Sequence, residues 1–439
     1  MRKTKIFLGV ILIFLLAAGI TFAQNTPIKK ANYPMAERYS TAKMAKMVFS
    51  TSVDAHWLKH SDRFWYSYET TEGKTFYLAD PLKRAKQALF DNAKMAAMLT
   101  LLTKDPYDAQ HLPIDRIKFV KEDRAIQFEV QSSQEEEAKK VEEKEKTAEV
   151  KPKKKIYTFE YDLATGKLIL LEDYKKPPEK PAWANISPDD KIIVFGRHYN
   201  LYWMDRENYE KILKDEKTKD IVEHQLTTDG EEDYSYYREE GGMTDEEKEK
   251  KKDERKSVNI LWSQDSKKFA LVRNDSRKVK DLWVINSVAE PRPTLETYKY
   301  QMPGEAEAPQ YDVLIFDLEK QQKIQIKDDL FKDQNVQILS APLPAKTRDD
   351  DYRPQLWLSE TSDKLYFSRT SRDLHRIDIC VADAATGEVK ALIEERLNTY
   401  VETRPLGLVD NGKELIHWSE RDGWAHFYLY DGGGKAICG

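Results

Sequence analysis

The sequence has little cysteine, with only Cys380 and Cys438 among its 439 residues. It contains no Cys-x-x-Cys pair and no Cys/His cluster, which excludes a dense disulfide framework and a structural zinc module. Cys380 lies in an apolar, strand-like run and is expected to be a small buried core residue. Cys438 lies next to the end of the chain, and we expect no disulfide between the two.

Catalytic motifs are also missing. Without a Gly-x-Ser-x-Gly elbow, the chain lacks an α/β-hydrolase nucleophile. It also lacks His-Glu-x-x-His, a P-loop and Gly-x-Gly-x-x-Gly. His56 and His60 are four residues apart, but no acid follows His56 and the segment resembles a strand, which argues against zinc. The eight histidines are scattered singly, so we expect no self-sufficient active site, no cofactor and no metal.

Neither sign of charge dominates the composition. The net charge is −5, from 71 basic and 76 acidic residues. A dedicated nucleic-acid-binding domain usually carries a basic excess. We therefore expect no nucleic-acid partner.

The chain has no long hydrophobic run after residue 23. Before it, Arg2, Lys3 and Lys5 precede an apolar stretch over residues 6–18, and Ala23 offers a small residue at the cut site. This pattern predicts a signal peptide over residues 1–23. The alternative is an uncleaved membrane anchor, because the run approaches the roughly 18 residues that a span needs. In either case the protein is expected to be exported, to the periplasm or the extracellular space.

Helical signals are confined to the N-terminal quarter. Residues 36–49 fit a short helix within an N-terminal segment over residues 24–50. Residues 83–104 fit a longer helix, because their apolar positions recur at near-helical spacing.

The rest of the chain repeats two small patterns. The first is an aromatic residue, a polar turn and an alternating strand, found at residues 57–66, 183–195, 262–272 and 357–368. The second is a strand that ends in Asp, a turn and another strand, found at residues 157–171, 313–326, 379–392 and 427–437. Asp and Gly supply the turn, and alternating apolar residues supply the strands, so each copy of the second pattern predicts a hairpin.

Hairpins repeated in series predict an all-β fold, namely a β-propeller of four-stranded antiparallel blades over residues 51–439. An open β-sandwich or two smaller β-domains are the alternatives. The charged stretches at 135–155 and 244–256 have no core-forming face and are expected to be solvated insertions, disordered or helical. The last predicted hairpin reaches the chain end, so the propeller is expected to be incomplete at its C-terminus and to expose a strand edge.

An acidic and aromatic stretch over residues 231–240 is the candidate site. It follows a turn at residues 226–230 and alternates carboxylates with tyrosines. Paired carboxylates that face a cavity can bind a protonated amine through charge-assisted hydrogen bonds. A solvated acidic loop that leads into the second charged insertion is the alternative interpretation.

Several segments resemble the propeller of the dipeptidyl peptidase IV family, in the prolyl oligopeptidase clan of serine peptidases. The most specific is PTLETYKYQMPGE at 293–305, which resembles the family's Tyr-x-Tyr-Pro-x-x-Gly-Glu segment. The others are ISPDDK at 186–191 with NLY at 200–202, LWSQDSKK at 261–268, and WSERDGWAHFY at 418–428. The resemblance covers about residues 180–435.

This resemblance implies a function. In that family the propeller gates access to a C-terminal α/β-hydrolase domain that brings Ser, Asp and His and is absent here, so the chain alone is expected to be inactive. The full-length parent would release dipeptides from peptide N-termini by acyl transfer. Its partners would be a peptide with a free N-terminus, the hydrolase domain and a second copy of the chain.

The resemblance also implies a site. Family propellers supply a glutamate pair that holds the substrate's amino terminus, and by position this pair is Glu239 and Glu240. Glu231 and Glu232 are the second choice, because Arg238 stands where the family's Asp-Trp-Val-Tyr-Glu-Glu pattern has Tyr. Two other hypotheses remain: a stand-alone propeller that binds a protein or peptide, and a propeller enzyme acting within its own channel, which the lack of clustered catalytic residues disfavours.

Overall fold

A computed structural model describes residues 31–44, 47–135, 154–172, 174, 179–238, 241–344, 353–402 and 404–439. Strands dominate these residues, and most of them form antiparallel sheets. The chain divides into two compact units, with unit 1 ending at Tyr174 and unit 2 beginning beyond it. The predicted signal peptide, residues 1–23, lies outside the described residues.

Unit 1 contains two four-stranded antiparallel sheets. Its helices are α1 (Tyr33–Arg38), α2 (Thr41–Met44) and α3 (Asn92–Thr103). The first sheet has the order β1 (His56–Trp57), β2 (Phe64–Thr70), β3 (Gly73–Asp80), β4 (Ala85–Ala88). The second has the order β5 (Ile114–Val120), β6 (Ala125–Glu135), β7 (Lys154–Asp162), β8 (Leu168–Leu170).

The predicted helix over residues 83–104 is correct only in its second part. Helix α3 begins after Asp91, whose side chain accepts hydrogen bonds from the backbone N–H groups of Ala93 and Lys94. Before this N-cap, Ala85–Ala88 pairs with β3 as a strand. An N-capping Asp satisfies donors that a helix would otherwise leave open, so it fixes the helix start there. The predicted helix over 36–49 is replaced by the shorter α1 and α2.

Helix α3 closes the core of unit 1. Its Met95 and Leu99 are fully buried and pack with Phe76, Phe128 and Phe159 from both sheets. Burial of such side chains contributes about 1.5–3 kcal/mol each. The two sheets and the helix therefore share one hydrophobic core.

Unit 2 contains most of the strands. They are β9 (Asn185–Ile186), β10 (Ile192–Arg197), β11 (Asn200–Asp205), β12 (His224–Gln225), β13 (Ile260–Trp262), β14 (Lys268–Asp275), β15 (Asp281–Asn286), β16 (Thr294–Lys299), β17 (Gln310–Asp317), β18 (Gln322–Gln325), β19 (Asn335–Ile338), β20 (Ser340–Pro342), β21 (Gln355–Trp357), β22 (Lys364–Thr370), β23 (Arg376–Asp383), β24 (Val389–Arg396), β25 (Leu406–Val409), β26 (Glu414–Ser419), β27 (His426–Asp431) and β28 (Ala436–Cys438). Its helices are α4 (Arg206–Lys214) and α5 (Asp245–Lys250).

These strands form three four-stranded sheets, one of six strands and one of two. The four-stranded sheets have the orders β12-β11-β10-β9, β19-β22-β23-β24 and β25-β26-β27-β28. The six-stranded sheet, β18-β17-β14-β13-β21-β20, gains its last two strands at the β13 edge, where β21 pairs parallel to β13. The hairpin β15–β16 forms its own two-stranded sheet between β14 and β17 in the sequence.

The predicted Asp-turn hairpins are confirmed. Residues 157–171, 313–326, 379–392 and 427–437 form the pairs β7–β8, β17–β18, β23–β24 and β27–β28. The Asp side chain stabilises the turn, since Asp383 Oδ1 accepts a hydrogen bond from the backbone N–H of Thr386 at 2.8 Å. Gly387 follows with φ 73°, and a Cβ there would lie 2.3 Å from the Gln325 carbonyl oxygen. Only glycine fits both the left-handed turn and this close approach.

The aromatic-turn-strand pattern holds for three of its four copies as a direct strand pair, since β1–β2, β9–β10 and β13–β14 are adjacent. Around Trp357 the pairing differs. The segment of β19 and β20 lies between β21 and β22, pairing with β22 through Asn335–Ile338 and with β21 through Ser340–Pro342. An intervening strand therefore replaces the direct strand pair.

Successive sheets of unit 2 pack face to face. Val194 and Leu201 of the β9–β12 sheet contact Phe269 and Leu314 of the six-stranded sheet in one cluster. A second cluster joins the six-stranded sheet to β19-β22-β23-β24 and includes Cys380. A third joins that sheet to β25–β28. Cys380 is unpaired and fully buried, as predicted, and burial raises the pKa of its thiol to about 12.

The charged insertions have different outcomes. In the first, Glu135 ends β6, Lys154 begins β7, and residues 136–153 lie outside the described residues. In the second, Asp245–Lys250 is a helix with a capping box between Thr244 and Glu247. Within the described ranges, no helix is long and apolar enough to span a membrane.

Candidate functional site

Of the predicted carboxylate pairs, the structure places only the second. Glu239 and Glu240 lie outside the described residues, between Arg238 and Gly241. Glu231 and Glu232 are both exposed, in a turn that follows β12. The described part of the candidate site is therefore the chain from residue 229 to residue 238.

The turn begins with a close backbone contact. Asn200 Oδ1 accepts hydrogen bonds from the Gly230 N–H and from Thr227 Oγ1, both at 2.9 Å. A Cβ on Gly230 would lie 2.2 Å from the Tyr199 carbonyl oxygen. The absence of a side chain at Gly230 thus allows the chain to pass close to the backbone of Tyr199 as it leaves the sheet.

Arg273, on β14, holds both ends of the turn. Its Nη2 donates to the carbonyl oxygens of Asp229 at 2.7 Å and Tyr234 at 2.8 Å, and its Nη1 donates to Asp229 Oδ2 at 3.0 Å. The Arg273 Cζ lies 3.3 Å from the Tyr234 ring centroid and 4.0 Å from that of Tyr236. Arg273 is 1 % exposed. We call Asp229, Tyr234, Tyr236, Arg273 and Lys323 the Arg273 cluster.

Asp229 is the anionic centre of this cluster. Tyr236 Oη donates to its Oδ1 at 2.8 Å, and Lys323 Nζ donates to its Oδ2 at 2.8 Å. Partial burial alone would raise the pKa of Asp229, but hydrogen bonds from Lys323, Tyr236 and Arg273 together lower that pKa well below its usual range. Asp229 is therefore ionised throughout the physiological pH range.

Glu231 already has a cationic partner. Arg277 Nη1 donates to Glu231 Oε1 at 2.5 Å, while its Nε and Nη2 bind Asp275 at 2.9 and 2.5 Å. Hydrogen bonding from Arg277 lowers the pKa of Asp275, which burial opposes. Because Arg277 already binds Glu231, a substrate ammonium group would compete with a guanidinium for one carboxylate of the exposed pair, Glu231 and Glu232.

Asp233 lies on the other side of the turn, with a left-handed φ of 62°. Lys299 Nζ lies 3.5 Å from the Asp233 carboxylate and 2.9 Å from that of Asp281. Burial raises the pKa of Asp233, and the ion pair with Lys299 opposes this. Asp233 also accepts a backbone hydrogen bond from Ser276 at 2.8 Å, so the turn is tied to the strand end beyond Arg273.

Beyond residue 240 the chain is fixed again by helix α5. Asp245 accepts from the Thr297 N–H and Oγ1 at 3.2 and 2.9 Å, and Lys248 donates to the Thr297 carbonyl at 2.6 Å. Gly242 donates to Glu296 at 3.1 Å. Helix α5 and the residues just before it are thus tied to β16.

A cleft of about 310 Å³ borders the cluster. Its walls come from residues 226–229, at the end of β12, and from residues 316–318 and 321–323, around the β17–β18 turn. Asp229, Asp317 and Lys323 are the charged residues of its lining. In the described portion of the chain, no group of three or more His, Cys, Asp or Glu residues could hold a metal ion.

Sequence reasoning missed Arg273 and Arg277. Arg273 interrupts the apolar run of β14, where alternating burial would favour a hydrophobic residue. A charged residue in an otherwise apolar strand, downstream of a tyrosine cluster, was the available signal. Its partners are 39 and 44 residues away in the sequence, so their identity could not be read from local spacing.

Comparisons with known proteins place the chain in a family. The model of the dipeptidyl peptidase IV (DPP IV) N-terminal region matches residues 143–438, more than half of the chain. No curated protein matches the sequence. The crystal structure of Porphyromonas gingivalis dipeptidyl peptidase 4 is similar at 16% identity and a TM-score of 0.43, over 88% of this chain and 46% of that one. The crystal structure of a Bacteroides ovatus protein assigned as a dipeptidyl aminopeptidase IV is similar at 16% identity and a TM-score of 0.42, over 88% of this chain and 44% of that one. The chain spans less than half the length of both.

Proposed function

The chain belongs to the family of the dipeptidyl peptidase IV N-terminal region, and we propose that it is the substrate-gating and substrate-binding propeller of an exported serine peptidase. The full-length parent would release dipeptides from the N-termini of peptides. The catalytic Ser, Asp and His would come from an α/β-hydrolase domain, and this chain would be inactive alone. Family membership over residues 143–438 is the observation that carries the proposal.

The sheet architecture supports a propeller. Four-stranded antiparallel sheets follow one another along the chain, and in unit 2 each packs a face on the next through a shared hydrophobic cluster. Radial repetition of such sheets is how propellers are built. We propose that residues 51–439 form blades of this kind, with the β15–β16 hairpin and the segments 135–155 and 244–256 as insertions.

The proposed substrate contact is with the free amino terminus of the peptide. Glu239 and Glu240 are the preferred pair, because Glu231 is engaged by Arg277 in the described structure. Two carboxylates on one ammonium group would form charge-assisted hydrogen bonds, each worth about 1.5–3 kcal/mol. Acetylating the peptide N-terminus removes the charge and should abolish this contact.

Hydrolysis of alanyl-alanine p-nitroanilide tests the proposal. The 439-residue chain alone is expected to release no p-nitroaniline. The same chain covalently continued into an α/β-hydrolase domain is expected to release it, and to reject the N-acetylated substrate. Hydrolysis by the 439-residue chain itself would show that it carries a nucleophile, and the proposal would be wrong.

A second copy of the chain is the proposed protein partner, and the hairpin β15–β16 supports it. Trp283 and Ile285 are 69 % and 66 % exposed, and β15 has β16 as its single strand neighbour among the described residues. Antiparallel pairing of β15 with its own copy would place apolar residues opposite each other without facing like charges. Unpaired edges of this kind favour association. Sedimentation of wild type and Trp283→Ser tests this, with a dimer expected for wild type alone.

A non-enzymatic alternative is a stand-alone propeller that binds a protein or peptide. The same exposed hairpin favours it, because apolar strands at an open edge can pair with an extended peptide of another protein. Activity of the extended protein on dipeptide substrates would exclude this alternative.

A further inference from the structure

The hairpin β15–β16 has two strand edges, and they have different neighbours. Among the described residues its strands form a sheet of their own, with no third strand on either side. The Tyr300 N–H donates to the Lys280 carbonyl at 3.0 Å, so these two residues form a hydrogen-bonded pair. Hydrogen-bonded and non-hydrogen-bonded pairs alternate along an antiparallel ladder. Trp283 and Thr297 therefore form a non-hydrogen-bonded pair, and their backbone N–H and C=O groups point away from the hairpin.

On the β16 edge, helix α5 occupies the place of a neighbouring strand. Asp245 Oδ1 accepts from the Thr297 N–H at 3.2 Å, and Lys248 Nζ donates to the Thr297 carbonyl oxygen at 2.6 Å. Asp245 Oδ2 also accepts from the Thr297 hydroxyl at 2.9 Å. This hydrogen bonding lowers the pKa of Asp245, so its carboxylate is an acceptor at neutral pH. Two side chains thus satisfy both backbone groups that a third strand would need at the middle of β16.

The segment that carries these two side chains is held in place on both sides. Before the helix, Thr244 and Glu247 form a capping box, which fixes the helix start. After it, Lys256 and Gly196 exchange two backbone hydrogen bonds of 2.8 Å each. Because Gly196 belongs to β10, helix α5 is tethered to the β9–β12 sheet as well as to the hairpin.

The β15 edge has no such cover. Trp283 and Ile285 are 69 % and 66 % exposed. Within the described part of the chain, no residue donates to or accepts from the outward backbone groups of Trp283. An unpaired row of this kind can pair with another chain, whereas a covered edge cannot. One edge of the hairpin is therefore closed and the other is open.

We propose that helix α5 is an edge cap that closes β16 to strand addition by a second copy of this chain, so that association through the hairpin is restricted to β15. A hairpin with two open edges could add chains without limit, whereas one with a single open edge stops at a pair. The cap acts whether or not β15 pairs with a copy, so this inference does not depend on the proposed dimer.

The experiment removes the cap from the 439-residue chain with the double substitution Asp245→Ala and Lys248→Ala. Its matched control is Glu249→Ala with Lys252→Ala, which removes an ion pair from the same segment and also leaves the net charge unchanged. Sedimentation velocity over a concentration series reports the oligomeric state. Hydrogen–deuterium exchange reports the protection of the Thr297 amide.

We expect D245A/K248A to exchange the Thr297 amide about tenfold faster or more, because its acceptor is lost. The same variant should form species larger than the wild-type species, in a share that grows with concentration. The control should match wild type in both measurements. Adding Trp283→Ser to D245A/K248A should stop association at a dimer, because only the β16 edge is then available.

Thr297→Pro assigns any new association to the β16 edge. Proline removes the outward N–H donor but leaves the ladder between β15 and β16 intact, because the backbone groups of Thr297 take no part in it. Added to D245A/K248A, this substitution should restore the wild-type oligomeric state. Association that persists would lie on another surface and would overturn the proposal.

Lys248→Met is the milder test if D245A/K248A does not fold. It removes the donor to the Thr297 carbonyl and should raise association in the same direction by less. Unchanged association in the folded cap variant would overturn the edge cap, whatever the exchange rate. A monomeric wild type with a D245A/K248A variant that stops at a dimer would support the cap and would instead contradict the proposed pairing of β15.

Discussion

The Arg273 guanidinium carbon lies 3.3 Å from the centroid of the Tyr234 ring, and the hydroxyl of that tyrosine donates to Asp312 Oδ2 at 3.0 Å. One tyrosine thus covers the face of a buried cation and also reaches across to β17. Burial raises the pKa of Tyr234, and the hydrogen bond to Asp312 adds to this effect. The hydroxyl is therefore a neutral donor at physiological pH.

This relationship predicts different costs for two substitutions at one position. Tyr234→Phe keeps the ring over Arg273 and loses one hydrogen bond, which should lower the free energy of unfolding by about 1 kcal/mol. Tyr234→Leu also uncovers a desolvated guanidinium and should cost about 2 kcal/mol more. Urea unfolding measures both. Equal losses would mean that the cation–π contact contributes nothing.

Asp328 carries an unusual carboxyl group. It is 6 % exposed, its Oδ2 has no hydrogen-bond partner among the described residues, and burial raises its pKa to about 6. Because the folded pKa exceeds the unfolded value of 3.8, the folded state holds the proton more tightly. The contribution of Asp328 to stability is then most favourable below pH 4, falls between pH 4 and 6, and is a constant penalty of about 3 kcal/mol above pH 6.

Replacing the carboxyl by an amide removes that penalty. Asp328→Asn is expected to unfold at a higher urea concentration than wild type at pH 7.5, and to match or fall below wild type at pH 4. The difference reflects the ionised carboxylate that wild type must bury at neutral pH. Urea midpoints of both proteins across this pH range provide the measurement. A gain that does not depend on pH would contradict the account.

Glu395 has the opposite effect from Asp328 on the pH dependence of stability, because its pKa is lowered in the folded state. It is buried between two sheets, where Arg421 Nη2 donates to its Oε1 at 2.6 Å and His417 Nε2 lies 3.5 Å away. Burial alone would raise the pKa of Glu395, but interactions with the nearby His417, Ser419 and Arg421 lower it to about 2. The lowered pKa contributes stability that is present above pH 4.5 and is lost as pH falls towards 2.

Glu395→Gln should therefore destabilise the chain at pH 7 by about 3 kcal/mol, and by much less near pH 2. The loss at neutral pH arises because Arg421 remains partly buried without its anion. Thermal melting of the variant and wild type at both pH values measures this. A destabilisation as large at pH 2 as at pH 7 would show that packing, and not the charge, is responsible.

Arg277 allows the two carboxylate pairs to be separated. Arg277→Met keeps an unbranched side chain at this position, removes the guanidinium that lies over the Tyr234 ring, and frees Glu231 of its counterion. If Glu239 and Glu240 bind the amine, Kd for alanyl-alanine amide should stay within about threefold, because exposed ion pairs contribute little. Binding that tightens tenfold would instead assign the site to Glu231 and Glu232.

The sequence predicted the local part of the fold well. Hairpins such as β23–β24 follow from alternating apolar residues and an Asp-x-x-x-Gly turn, both of which act within a few residues. The start of α3 was predicted too early because apolar residues recur at helical spacing both before and after Asp91. The N-cap at Asp91 nevertheless begins the helix there. The insertion of β19 and β20 beside Trp357 was missed because it depends on pairing between distant segments.

In the candidate site, too, local features could be predicted from the sequence and long-range contacts could not. The acidic stretch could be recognised from its composition, but the state of its carboxylates could not. Glu231 meets Arg277 46 residues away, and Asp229 meets Lys323 94 residues away. Such contacts are set by how the β9–β12 sheet packs on the six-stranded sheet, which no local pattern encodes.

Glu239 and Glu240 are proposed to bind a free peptide amino terminus, and one titration series measures whether they do. Kd for alanyl-alanine amide is measured for wild type, for E239Q/E240Q and for E231Q/E232Q, with the N-acetylated amide as the control ligand. We predict that E239Q/E240Q weakens binding about 100-fold or more, as the loss of two charge-assisted hydrogen bonds of about 1.5–3 kcal/mol each requires, while E231Q/E232Q changes it less than threefold. Equal binding of both amides by wild type, or an unchanged Kd in E239Q/E240Q, would contradict the account.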